Sequence, residues 1–144
     1  MSAEQLVPGF CRYLAAAVDG LVFDETGATG NVFDSRIPQT PDEVVSVREY
    51  GGSEPDSLIG YDEVFLQVRV RGPGGDPRPS RARVHAIRDA LEGATNVMLP
   101  SGPFVVLIRS LQPPFPMDGV DSQGRFEHVL NVSVEVRNAA GHRV

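Results

Sequence analysis

The chain contains no lysine: all 13 positive residues among its 144 are arginines. That absence excludes the phosphate-gripping lysine of a P-loop, a Schiff-base lysine and the ATP-binding lysine of a protein kinase. Cysteine is nearly absent as well. Cys11 stands alone, so no intrachain disulfide, CxxC redox pair or multi-cysteine zinc site can form, and a reducing, cytosolic origin is expected. No uninterrupted apolar run is long enough to span a bilayer. Glu4 stands where a signal peptide wants positive charge, so a soluble protein made inside a cell, with no membrane partner, is expected. Positive charge is in deficit, with a formal net charge of -6, and the bulk composition therefore offers nucleic acid no electrostatic attraction.

Catalytic patterns are also missing. His85, His128 and His142 are far apart, and none has a second histidine or a cysteine at helical i, i+4 spacing, so no metal site is expected. No GxSxG elbow occurs, and the glycines at Gly27 to Gly30 and Gly72 to Gly75 lack the GxGxxG spacing of a dinucleotide site. Cys11, next to Phe10 on an expected helix, reads as a packed structural cysteine. The carboxylate pairs Asp42-Glu43 and Asp62-Glu63 have a spacing that fits solvated strand ends as well as an acid/base pair. No cofactor and no catalytic residue is expected.

What is present is patterning. With 41% apolar residues, a chain of this length suits one domain over residues 1–144. Leu6, Phe10, Leu14, Ala17 or Val18, and Leu21 recur every three or four residues and mark a helix, stopped near Gly20. Pro8 is tolerated only in a first turn, so the helix begins near Leu6 or is kinked there after an earlier turn capped by Ser2. Leu21 to Pro41 reads as a long irregular excursion with one apolar pair, Val32-Phe33, that could form a short strand. Glu43 to Tyr50 and Tyr61 to Arg71 read as antiparallel strands. In the second, Val64, Leu66, Val68 and Val70 alternate with Phe65, Gln67, Arg69 and Arg71, giving one apolar face and one polar face.

Gly72 to Pro79, with its glycines and prolines, reads as an extended loop. A second helix follows, with Val84, Ile87 and Leu91 as its buried stripe, Ser80 or Asp76 as its cap and Gly93 as its stop. Phe104 to Leu111 and Phe126 to Arg137 complete the strands, separated by a proline-rich connection. The expected fold is α/β (α+β): a single mixed or mainly antiparallel sheet of four to five strands, two helices packed on one face, and long loops.

The arginines carry the remaining signal. Arg78, Arg81 and Arg83 crowd the expected start of helix two, where the dipole disfavours cations. A carboxylate from the same or a neighbouring chain would offset that, and Arg69 and Arg71 fit the same idea.

From Pro38-Gln39-Thr40-Pro41-Asp42-Glu43 through Gly51-Gly52, and again at Leu66-Gln67-Val68-Arg69-Val70-Arg71-Gly72, the sequence resembles tail terminator proteins of long-tailed bacteriophages, often labelled tail-completion or minor capsid proteins. The resemblance implies a structural virion protein that forms a ring, a hexamer, on the head-proximal end of the tail tube. Its partners would be other copies of itself, the tail tube protein and the head-tail connector or stopper, with DNA passing through the lumen without specific binding. It would be assembled in the host cytoplasm and reside at the head-tail junction. Candidate subunit or partner interface residues are Arg69, Arg71, Arg78, Arg81, Arg83, Asp42, Glu43, Gly74 and Gly75. The loops Leu21 to Pro41 and Gly72 to Ser80 would become ordered only against neighbours. Two other readings stand beside this one: a neck or joining ring nearer the capsid, and a small-ligand-binding α/β domain with a pocket between the sheet and the loop after Leu111.

Overall fold

The computed structural model describes residues 3–144. A cap by Ser2 lies outside the described residues. After a 3-10 turn at Ala3–Gln5, helix α1 spans Leu6–Ala17. Pro8 thus falls in the first turn, where its missing N–H has no intrahelical acceptor to satisfy. The helix ends where the Val18 N–H bonds the Leu14 carbonyl at 2.9 Å, and Gly20 follows at a φ of +84°.

Seven strands form one sheet: β1 (Val32–Asp34), β2 (Val44–Gly52), β3 (Tyr61–Gly74), β4 (Thr95–Met98), β5 (Phe104–Ser110), β6 (Phe115–Pro116) and β7 (Arg125–Arg137). Helix α2 spans Arg78–Leu91. Across the sheet the order is β1-β2-β3-β7-β5-β4, with β6 pairing β7 beyond the point where β5 stops. Among the seven strands β1 and β2 pair in parallel and the other pairs are antiparallel, while Phe23 adds an isolated parallel bridge to Val32.

The strand count exceeds the expected four to five. The additional strands are short: β4 has four residues and β6 has two, and proline and polar residues hide their period. The segment after Arg71 also departs from a loop. Strand β3 continues through Gly72-Pro73-Gly74, made possible by a register shift between Arg71 and Gly74, and α2 already begins at Arg78 with Pro79 in its first turn. Ser80 lies inside the helix and does not cap it. Asp76 accepts the Arg78 N–H at 3.0 Å, satisfying one of the free donors at that end.

Both helices lie on the same face. Leu6, Phe10 and Leu14 of α1 and Val84, Ile87 and Leu91 of α2 join Val45, Val47, Leu66, Val68, Val70, Ile108, Leu130, Val132 and Val134 in one buried cluster. On β3 and β7 the even-numbered residues point into that cluster, so the odd-numbered ones point to the helix-free face.

Candidate assembly surface

The helix-free face carries a polar ladder along the strand register. Arg48 Nε donates to Gln67 Oε1 at 3.1 Å, and Gln67 Nε2 donates to Asn131 Oδ1 at 3.2 Å. One row nearer the loops, Arg69 pairs with Glu127 at 2.8 Å across β3 and β7. At the opposite end Glu63 is a hub: Ser133 Oγ donates to it at 2.5 Å, Arg109 Nη2 at 3.0 Å, and the Ser53 hydroxyl donates as well. These bonds, those from the serines foremost, hold the Glu63 carboxyl at a pKa of about 2.

Near the start of β2 the same face is roofed by connecting segments, because Val44, Ser46 and Arg71 are buried although they point away from the helices. Arg71 Nη2 donates to the Pro41 carbonyl at 2.6 Å and Arg71 Nε to the Asp42 carbonyl at 2.9 Å. Arg125, 2% exposed, donates to the Gln39 carbonyl at 2.7 Å and pairs with Asp121 at 2.8 Å and Asp42 at 3.2 Å. Burial, followed by the nearby Arg125 charge, lowers the pKa of Arg71. Two guanidiniums therefore fasten residues 39–42 and 121–125 to the end of the sheet.

The excursion from Leu21 to Pro41 is likewise held by its own bonds, which corrects the expectation that it orders only against neighbours. Asp24 accepts the Thr26 hydroxyl at 2.8 Å and the Thr29 N–H at 2.9 Å, and with the Thr26 hydroxyl as the leading cause its pKa falls to about 2. Arg12 of α1 grips Glu25 through two nitrogens, each at 2.7 Å. Asn31 bridges the Gly20 carbonyl and the Val22 N–H, both at 2.8 Å.

The nine candidate interface residues are thus placed differently. Arg69 and Arg71 serve contacts within the chain, the latter with backbone carbonyls in place of the expected carboxylate. Arg78 pairs with Asp76 at 3.0 Å, and Asp42 takes part in the Arg125 clamp. Glu43, Gly75 and Arg81 are exposed. Arg83 is half-buried and shares a hollow with Asp19 and Glu43 between the helices. Gly74 lies opposite Arg125, and a Cβ there would come within 3.0 Å of the Gln123 carbonyl oxygen.

Arg125, which does most of the fastening, escaped the sequence reading because it sits just before the alternating apolar run of β7. His128 is buried, and its Nδ1 lies 2.7 Å from Ser80 Oγ. Desolvation lowers its pKa, assisted by the charges of Arg81 and His85. The hollow beside the connection after Leu111 measures about 110 Å³, below the usual range for a ligand pocket, roughly 300–1,000 Å³. No helix among the described residues is long and apolar enough to cross a membrane.

A family model described as bacteriophage tail terminator protein matches residues 16–138, which include both sheet ends and the loop clamp. The chain belongs to the bacteriophage tail terminator proteins. The chain is therefore a structural virion protein and not an enzyme, a component of the phage tail that works by assembling with other virion parts. Among curated proteins, none is similar to it. Among solved structures, a chain in the virion of a native gene transfer agent particle aligns at 20% identity with a TM-score of 0.61, covering 87% of this chain and 84% of that one. Another aligns at 17% identity with a TM-score of 0.53, covering 94% of this chain and 91% of that one. At these identities the likeness is one of fold.

Proposed function

We propose that the protein assembles as a closed ring, a hexamer, that caps the head-proximal end of the tail tube and joins it to the head-tail connector or stopper. Assembly takes place in the host cytoplasm, and DNA passes through the lumen without specific binding. The match over residues 16–138 carries this reading. The geometry agrees with it: a docking end must keep its shape between the free and the assembled state, and Arg71 with Arg125 gives the end of the sheet that property. A net charge of -6 limits adhesion of passing DNA. In this reading Arg71, Arg125 and Asp42 position the loops, while Glu43, Gly74, Gly75, Arg78, Arg81 and Arg83 stand at or near contacting surfaces, and Arg69 stabilises the face between them.

Gly72 to Pro79 holds the end of β3 and the start of α2, so its removal would disturb the fold as well as any contact it makes. The test is mass by light scattering over a concentration series, with and without purified tail tubes, and negative-stain imaging of the largest species. Six-fold rings, free or seated on tube ends, are expected. A protein that stays monomeric under both conditions overturns the reading.

A further inference from the structure

The half of the helix-free face near the β2–β3 connection is open, and its make-up is that of a protein interface. Phe65 points to this face between Val64 and Leu66, which pack toward the core. Tyr50 lies against it with ring centroids 5.9 Å apart. Tyr50 and Tyr61 are each 40% exposed, and half-exposed aromatic groups of this kind are enriched where proteins meet. The rim is acidic: Glu54, Asp56, Glu63 and Glu135 line, with Tyr61, a hollow of about 320 Å³. Glu54 and Glu135 form no ion pair among the described residues.

Opposite charge is gathered in the other layer. Arg78, Arg81, His85 and Arg88 follow one another along α2 at spacings of three, four and three, which places them on one flank of the helix. The first three are exposed and the fourth is half-exposed. Arg78 and Arg81 stand near the helix N-terminus, an unfavourable place for a cation, and Arg81 forms no ion pair among the described residues.

We propose that the cationic flank of α2 in one copy docks on the acidic hollow of the next, against Tyr61 and the Tyr50–Phe65 pair on the same face, head to tail; the proposal rests on the ring reading above. The occupant is a second copy because its own surface holds the complement. With a net charge of -6, two copies repel in most orientations and attract where these two patches meet. The patches lie in opposite layers, so every copy offers one of each. That is the requirement of a heterologous contact that closes a ring, whereas a two-fold pairing would oppose like charges.

The test uses two full-length variants, Arg78→Glu/Arg81→Glu and Glu54→Arg/Glu135→Arg. All four residues are exposed, and negative charge near the start of α2 suits the helix dipole, so both variants are expected to melt within a few degrees of wild type. Each alone is expected to lose rings by light scattering and negative stain. Mixed in equal amounts they are expected to regain them, since each variant's reversed patch matches the other's and an alternating ring satisfies every contact. Rings formed by either variant alone, or a mixture that stays unassembled while wild type assembles, overturn the proposal and leave the ring reading standing. Wild type that forms no ring, free or on tail tubes, overturns both.

Discussion

Arg71 and Arg125 share one acceptor: both donate to the Gln39 carbonyl, Arg125 at 2.7 Å and Arg71 at 3.4 Å. Two like charges are drawn together because the carbonyls of residues 39–42 and the carboxylates of Asp42 and Asp121 surround them. Arg125→Met keeps the approximate bulk and removes the fork, leaving the Asp121 carboxylate and the Gln39 carbonyl short of donors. Arg125 is buried but the Asp42 and Asp121 carboxylates stay open to water, so its loss costs on the order of its charge-assisted hydrogen bonds, about 2 kcal/mol, and the urea midpoint is expected to fall accordingly. Arg125→Lys is expected to recover only part of this, since one ammonium cannot reach both loops. A midpoint unchanged in Arg125→Met would show that the clamp contributes nothing to folding.

Glu63 makes the folded protein acid-sensitive in a defined window. Its folded pKa of about 2 lies below the ordinary value of 4.5, so its contribution is full above 4.5 and is lost as the pH falls toward 2. Glu63→Gln removes the ionisation. Melting temperature against pH is expected to fall less steeply for the variant than for wild type between those limits. Parallel curves would mean that the Ser133 and Ser53 bonds do not favour the charged form.

The long elements were legible because burial leaves a period in the sequence. Val84, Ile87 and Leu91 mark α2, and the even-numbered residues from Leu130 to Val136 mark β7. The edge strand β4 and the two-residue β6 were not, since a strand recruited onto a neighbour's free backbone needs no apolar period of its own. Proline and glycine after Arg71 suggested a loop, yet a register shift lets the strand pass through them. The family could be read from motif residues along β2 and β3. The Arg125 clamp could not, because its Gln39 and Asp42 acceptors lie more than 80 residues away in sequence, and one of them is a main-chain carbonyl, which leaves no signature in residue type.

Cys11 offers a direct probe of core opening. It is fully buried, and burial, with the Asp34 charge next, raises its thiol pKa far above the ordinary value. As the only cysteine, it is expected to stay unreactive toward a thiol-specific reagent in the native protein and to label at the rate at which the core opens. Rapid stoichiometric labelling under native conditions would contradict the packing of α1 on the sheet.

Helix α1 approaches the β4–β5 connection at two glycines. A Cβ on Gly9 would stand 3.1 Å from Gly102 Cα and from Leu99 Cβ; one on Gly102 would stand 3.0 Å from Leu99 Cβ and 3.2 Å from the Gln5 carbonyl oxygen. Two effects oppose each other in Gly9→Ala. Alanine favours the helix by about 1 kcal/mol over glycine, whereas forcing a methyl into a packed site costs about 1–3 kcal/mol. The neighbours here are main chain and a buried leucine, neither of which can swing aside, so packing prevails and Gly9→Ala is expected to be less stable than wild type. Gly102→Ala has no helical gain to offset the same crowding and is expected to lose more. A Gly9→Ala variant that melts above wild type would mean that α1 can move off the connection, and that the approach of these two glycines is not what sets its position.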